Sequence, residues 1–276
     1  MSEYTELEKL FVVVNLNDDQ HVALERALIY CNSPDINTAQ LELFIFIGAD
    51  SEAENTGADN NHLFRDMDWI ETTIYKPLEA AGASFKVGFC WSSKWMEAIA
   101  QEAKRIGAQV IYLPWHQTTS KPRFTFSESK WGLLKQAQCP VVLIRPGANE
   151  KRNIVLAAVN FQTVKPHQNA LNRRVLNSAK LVASSYGAVL HIVNAYRDSL
   201  HYPDRGKLAN ESGLGSDQVH VQQGYTSEVV AQVAKEINAD LVVMGTLNQI
   251  GKERTLRGNT AERVISALDV DTVVIN

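Results

Sequence analysis

The sequence predicts an α/β protein made of two tandem copies of a five-stranded parallel sheet, Rossmann-like, with helices on both faces. Three observations predict it. Short apolar runs alternate throughout with stretches whose apolar residues recur at helical spacing, which is the signature of a covered parallel sheet. The alternation breaks at residues 145–150 (RPGANE), which read as a linker, and then restarts. The two halves also match: IGAQVIYL at 106–113 aligns with INADLVVM at 237–244, 131 positions on, and Glu97 falls on Glu228. The expected domains are 1–147 and 151–276.

In the first copy, residues 10–15 (LFVVVN) read as a strand and 21–31 as a helix, with Val22, Leu24, Leu28 and Ile29 apolar. Residues 41–47 are a strand, and the acidic stretch 51–61 is a loop. Residues 64–81 are a helix, with Met67, Ile70, Ile74 and Leu78 on one stripe. A strand at 85–90, a helix at 94–106, a strand at 110–113, a helix at 130–138 and a strand at 141–144 complete it. The second copy opens with a strand at 153–160, where Asn160 stands in the place of Asn15. A helix at 170–185 and strands at 188–196 and 219–222 follow. Then come a helix at 227–237, a strand at 241–244, a helix from Thr260 and a strand at 272–275. Where the first copy has the helix 64–81, the second has only SLHYPDRGKLANESGLGSD (199–217), with no apolar periodicity. The expectation there is a crossover without a covering helix. Packing between the copies, a homodimer or a bound ligand would then have to cover the sheet, in that order of preference.

Composition excludes several classes. No run of 18 apolar residues suggests a membrane span, and residues 1–10 lack the blocks of a signal peptide. Cys31, Cys90 and Cys139 are odd in number and far apart, which speaks for core filling in a reducing, cytoplasmic setting rather than disulfides or zinc. Residues 1–150 carry 13 Lys and Arg against 20 Asp and Glu; residues 151–276 carry 14 against 11. Neither half calls for nucleic acid, but the second half favours an anionic ligand. The seven histidines show no metal spacing, and no Gly-x-Ser-x-Gly elbow occurs. Asp18-Asp19 and Asp66-x-Asp68 read as solvated faces or caps. No metal site and no enzymatic apparatus are expected.

The stretch 240–263 (DLVVMGTLNQIGKERTLRGNTAER) is the one that points to a ligand. It reads as a buried strand, a polar loop with Gly245, Gly251 and Gly258, and a helix entered through Asn259 with Glu262 three residues on. A helix N-terminus after a glycine loop suits phosphate, and Lys252, Arg254 and Arg257 add charge. It is neither a Walker loop nor the dinucleotide fingerprint. A plain strand–loop–helix joint would read the same way.

The stretch resembles the nucleotide loop of the universal stress proteins, Gly-x-x-Gly, nine residues, then Gly and a small polar residue. Gly245, Gly258 and Asn259-Thr260 fit, with Asn248 in place of the second glycine, and GNTAERV (258–264) is most like the tandem two-domain members. The resemblance covers essentially the whole chain. It implies the adenine nucleotide alpha hydrolase-like sheet of order 3-2-1-4-5, with a crevice between the ends of strands 1 and 4. It further implies an adenine-ribose end at Ala158, Asn160, Ala195 and Met244, and a phosphate end at Gly245, Asn248, Gly258, Asn259 and Thr260. Asn160 replaces the family's aspartate there. The first copy has Pro114 for Gly245 and Phe126 near Gly258, and it holds all five tryptophans, so its crevice is expected to refuse phosphate. The resemblance implies a cytoplasmic, non-enzymatic stress-response protein taking ATP or another adenine nucleotide in its second domain. An apolar, acyl-type ligand or a protein partner is the alternative, and a weak ATP hydrolase comes third.

Overall fold

The computed structural model describes residues 7–16, 18–32, 40–49, 67–115, 128–162, 165–246 and 260–276. They form two compact units, one ending at Pro146 and the other beginning at Gly147. The strands of unit 1 are β1 (Lys9–Asn15), β2 (Glu42–Ala49), β3 (Ser84–Trp91), β4 (Val110–Pro114) and β5 (Val141–Ile144). They lie in the order β3-β2-β1-β4-β5, and all pair in parallel. Unit 2 repeats this with β6 (Ile154–Ala158), β7 (Val189–Tyr196), β8 (Val219–Gln223), β9 (Leu241–Gly245) and β10 (Asp271–Ile275). Their order is β8-β7-β6-β9-β10, again parallel. Central strands such as Leu10–Val14 are buried throughout, as helices on both faces require. The strand order reverses beside β1 and β6, which opens a crevice at the carboxyl ends of the strands there.

The repeat is physical as well as apolar. Helix α4 (Trp95–Ile106) closes through Gly107 at φ +70°, and α8 (Thr226–Glu236) is followed by Asn238 at φ +52°. These are matching positions, and asparagine is among the few residues that tolerate left-handed backbone. The next N–H groups fold back alike: Ala108 donates to Ala103 O at 2.9 Å, and Ala239 to Ala234 O at 2.8 Å. One residue further, Gln109 Oε1 accepts the N–H groups of Glu8 (2.6 Å) and Lys9 (3.0 Å). Its counterpart Asp240 Oδ2 accepts those of Asn153 (2.8 Å) and Ile154 (2.9 Å). The same position thus ties down the start of the first strand in each unit. Unit 2 adds a buried ion pair beside it, Arg152 with Asp271, and Arg152 also donates to Asp240 O at 3.0 Å.

The units differ in the crossover after their second strand. Unit 1 has α2 (Met67–Ile70), a π-turn over Glu71–Tyr75 and α3 (Lys76–Ala80). Ile70, Ile74 and Leu78 are buried on one stripe, and the widened turn precedes Pro77, which has no N–H to offer it. Residues 64–66 of the expected helix, and the loop 51–61, lie outside the described residues. In unit 2 the expectation of no covering helix is corrected. Residues 199–217 include a 3-10 turn at Ser199–His201 and the helix α7 (Arg205–Ser212). Asp204 caps it by accepting the Lys207 N–H at 2.9 Å, and Gly213 ends it at φ +71°. Leu208 is its one fully buried apolar anchor. A helix with a single anchor leaves no periodicity to read; its caps were the signal.

No helix among the described residues is long and apolar enough to cross a membrane. The three cysteines are free, and burial pushes the thiols of Cys31 and Cys139 up to about 11, which suits inert fillers.

Candidate functional site

The crevice of unit 2 opens where β6 ends between β7 and β9. Ala158 faces Val193 on one side and Met244 on the other, and Val159 N–H still donates to Val193 O at 3.0 Å. Met244 is buried, whereas Ala158, Ala195 and Gly245 are partly exposed. Thr260 is the first residue of α9 (Thr260–Ala267). Asn248, Gly258 and Asn259, with Lys252, Arg254 and Arg257, lie outside the described residues.

Gly245 is needed for a different reason from the one its place before a loop suggests. It continues β9 without positive φ. A Cβ there would meet Leu171 of α6 (Pro166–Tyr186) at 2.7 Å, so glycine admits Leu171 against the strand end. The next residue, Thr246, is buried, its N–H donates to Ile275 O at 2.8 Å, and its hydroxyl has no partner.

The opposite wall is built of carboxamides. Asn172 of α6 is buried; its oxygen accepts the Asn160 N–H at 3.1 Å and its nitrogen donates to Asn160 O at 2.7 Å. Asn194 of β7 is fully buried, and its oxygen accepts the Phe161 N–H at 2.7 Å. Its nitrogen donates to Gln162 Oε1 at 2.6 Å and, at 3.2 Å, to Ala195 O. Gln162 Nε2 donates to the same Ala195 O at 2.9 Å. Residues 160–162 are thereby fixed across the ends of β6 and β7. Asn160 itself is exposed. Asn172, Asn194, Gln162 and Thr246 do not stand out in the sequence. The available signal is an asparagine at a core position: Asn172 beside Leu171 on the buried face of α6, and Asn194 within HIVNAY.

In unit 1 the matching end of β2 meets a ring instead. Asn15 faces Gly48 across β1 and β2, and its carboxamide donates to Asp18 at 2.9 Å. A Cβ on Gly48 would fall 2.1 Å from the Trp95 indole, so that ring lies directly on the backbone. Trp115, just past β4, and Trp131, on α5 (Glu128–Gln136), are both buried. The Lys130 ammonium stands 5.0 Å over the Trp115 ring. Burial pushes its pKa down, and Asp18 opposes that. Trp115, Lys130 and Trp131 occupy the places of Thr246, Ala261 and Glu262. Phe126 lies outside the described residues.

A doubly wound five-stranded domain, present twice, with its crevice at the switch point, defines the class. The sequence model of the "Universal stress protein family" matches residues 204–276. "Universal stress protein E" of Escherichia coli (strain K12) is 26% identical over 300 residues, covering 97% of this chain and 93% of that protein. Among solved structures, a universal stress protein of Pseudomonas aeruginosa UCBPP-PA14 superposes with a TM-score of 0.76 at 21% identity, covering 98% of this chain and 93% of the other. One from Archaeoglobus fulgidus DSM 4304 does so with a TM-score of 0.65 at 17% identity, covering 99% of each. The chain is similar over nearly its full length to universal stress protein E, and its residues 204–276 match the family's sequence model.

Proposed function

We propose that the chain is a cytoplasmic, non-enzymatic stress-response protein that takes one adenine nucleotide, in unit 2, and none in unit 1. The carrying observation is the buried, unpartnered hydroxyl of Thr246 at the end of β9, beside the switch point. A buried hydroxyl without a partner costs about 1–3 kcal/mol, a cost that a ligand oxygen would remove. The sequence pattern from Gly245 to Thr260 supports phosphate beyond it, with Asn248, Gly258 and Asn259 in the loop and Thr260 at the helix start. Ala158, Asn160, Ala195 and Met244 are the proposed base and ribose end. No group of three metal-ligating side chains exists among the described residues.

The test is calorimetric titration of ATP into the full chain. One equivalent is expected in wild type, with affinity lowered several-fold in Thr246→Val, and no turnover of the bound ATP. Two equivalents, or undiminished binding in Thr246→Val, would refute the assignment. A second reading, a protein or apolar partner for unit 1, is favoured by Phe89 and Trp91 on the edge strand β3, which are 61% and 40% exposed. Association through that strand, or through packing of the tandem domains, is compatible with the first reading.

A further inference from the structure

The carboxamide wall holds a ligand-like group already. The orientation of each amide is forced from both ends. Phe161 N–H can only donate, so Asn194 turns its oxygen there and its nitrogen toward Gln162. Ala195 O can only accept, so Gln162 turns its nitrogen there and its oxygen toward Asn194. Flipping either amide would set like against like. Removing the Gln162 side chain would leave an acceptor, Ala195 O, beside a donor, Asn194 Nδ2. The complement of that pair is a donor next to an acceptor on one rigid edge.

We propose that Gln162 is an internal stand-in for a nucleobase: its carboxamide fills the base-edge subsite of unit 2 with the donor–acceptor pair that the 6-amino group and a ring nitrogen of adenine present. This rests on the nucleotide reading of unit 2 given above. A bound adenine displaces Gln162, donates to Ala195 O and accepts from Asn194 Nδ2. The loop need not unfold when Gln162 leaves. Its backbone is held independently by Asn172 on Asn160 and by Asn194 on Phe161. Ala195 O keeps the Asn194 amide at 3.2 Å. Two net hydrogen bonds of ordinary strength must be exchanged, so the side chain lowers the apparent affinity for adenine by about ten-fold. Because Gln162 must leave before any base enters, it lowers all affinities alike, and the choice between bases rests with Ala195 O and Asn194 Nδ2 themselves.

The experiment titrates adenosine and purine riboside, which lacks the amino group, into the full chain as wild type, Gln162→Ala and Gln162→Glu. The glutamate accepts from Asn194 but cannot donate to Ala195 O, so it keeps the bulk of the side chain and only half of its fit. Gln162→Ala should bind adenosine about ten-fold more tightly than wild type, with Gln162→Glu between them. The preference for adenosine over purine riboside should persist in all three. Weaker adenosine binding in Gln162→Ala would make Gln162 a direct ligand contact and overturn the proposal. Equal affinity in wild type and Gln162→Ala would overturn it while leaving the nucleotide reading intact. Failure of every protein to bind adenosine, with ATP also unbound, would overturn both. A Gln162→Ala chain that does not fold passes the decision to Gln162→Glu, in which affinity equal to or below wild type overturns the proposal.

Discussion

In unit 1 the end of β2 meets an indole ring; in unit 2 the ends of β6 and β7 meet carboxamides. Trp95 lies on Gly48 in one, while Gln162 and Asn194 bracket Ala195, the counterpart of Gly48, in the other. The two closures differ in what can replace them. An indole packed on backbone offers nothing to exchange with a polar ligand, and its removal leaves a cavity. A carboxamide pair can be traded, bond for bond, for a ligand edge. The contrast extends along the sheet. In unit 1, Phe44 packs against Gly88, where a Cβ would come within 2.8 Å of the ring. At the corresponding place in unit 2, His191 and His220 stack with centroids 5.3 Å apart and ring nitrogens 3.0 Å apart.

The comparison breaks most visibly at Trp131, which is buried. Trp131→Ala should destabilise the chain by about 3–5 kcal/mol in denaturant unfolding. It should not create a second nucleotide equivalent; a second equivalent would show that the rings of unit 1 merely block a competent site. A smaller effect of opposite sign is expected at Thr246. Thr246→Val, nearly isosteric, removes the buried unpartnered hydroxyl and should raise the stability of the ligand-free chain by about 1 kcal/mol, even as it weakens ATP binding. Lower stability in that variant would mean the hydroxyl is satisfied in solution.

The smallest effect is the pH dependence of the histidine pair. Burial holds both histidines below their ordinary range, and for His220 the neighbouring His191 adds to the shift. Asp217 and Glu236 oppose it at His220, and Asp217 at His191, while Arg205 reinforces it at His220. Because the folded state resists protonation, the unfolded chain binds more protons below the ordinary histidine pKa of about 6.5. Stability should therefore be full above that value and fall as pH drops through it. In His220→Phe, unfolding midpoints at pH 5 and pH 8 should lie closer together than in wild type. An unchanged gap would assign the acid sensitivity elsewhere.

The sequence carried the architecture well because the repeat has physical reasons behind it. Gly107 and Asn238 share a left-handed turn, and Gln109 and Asp240 share a strand-tying role, so the alignment of 106–113 with 237–244 follows function within the fold. It carried the crossover of unit 2 poorly, since Leu208 alone anchors α7. Of the candidate site, the positions that the family resemblance implies, Ala158, Asn160, Ala195, Met244 and Gly245, lie at or beside the ends of β6, β7 and β9. Its side-chain network was not legible, since Gln162 and Asn194 are 32 positions apart and look locally like ordinary polar residues. Gly245 also has a role that its place before a polar loop does not reveal: it clears space for a side chain from another element.

That side chain, Leu171, is followed directly by Asn172. Two consecutive residues of α6 thus touch the two rims of the crevice, one against the end of β9 and the other against the backbone after β6. Neighbours on a helix point about 100° apart, so neither contact survives rotation of α6, and sliding it by one residue would swap a hydrocarbon for an amide at each rim. The helix therefore acts as a fixed gauge: the spacing between the two strand ends is held by a rigid rod locked at two points, and a change in that spacing would unseat the rod.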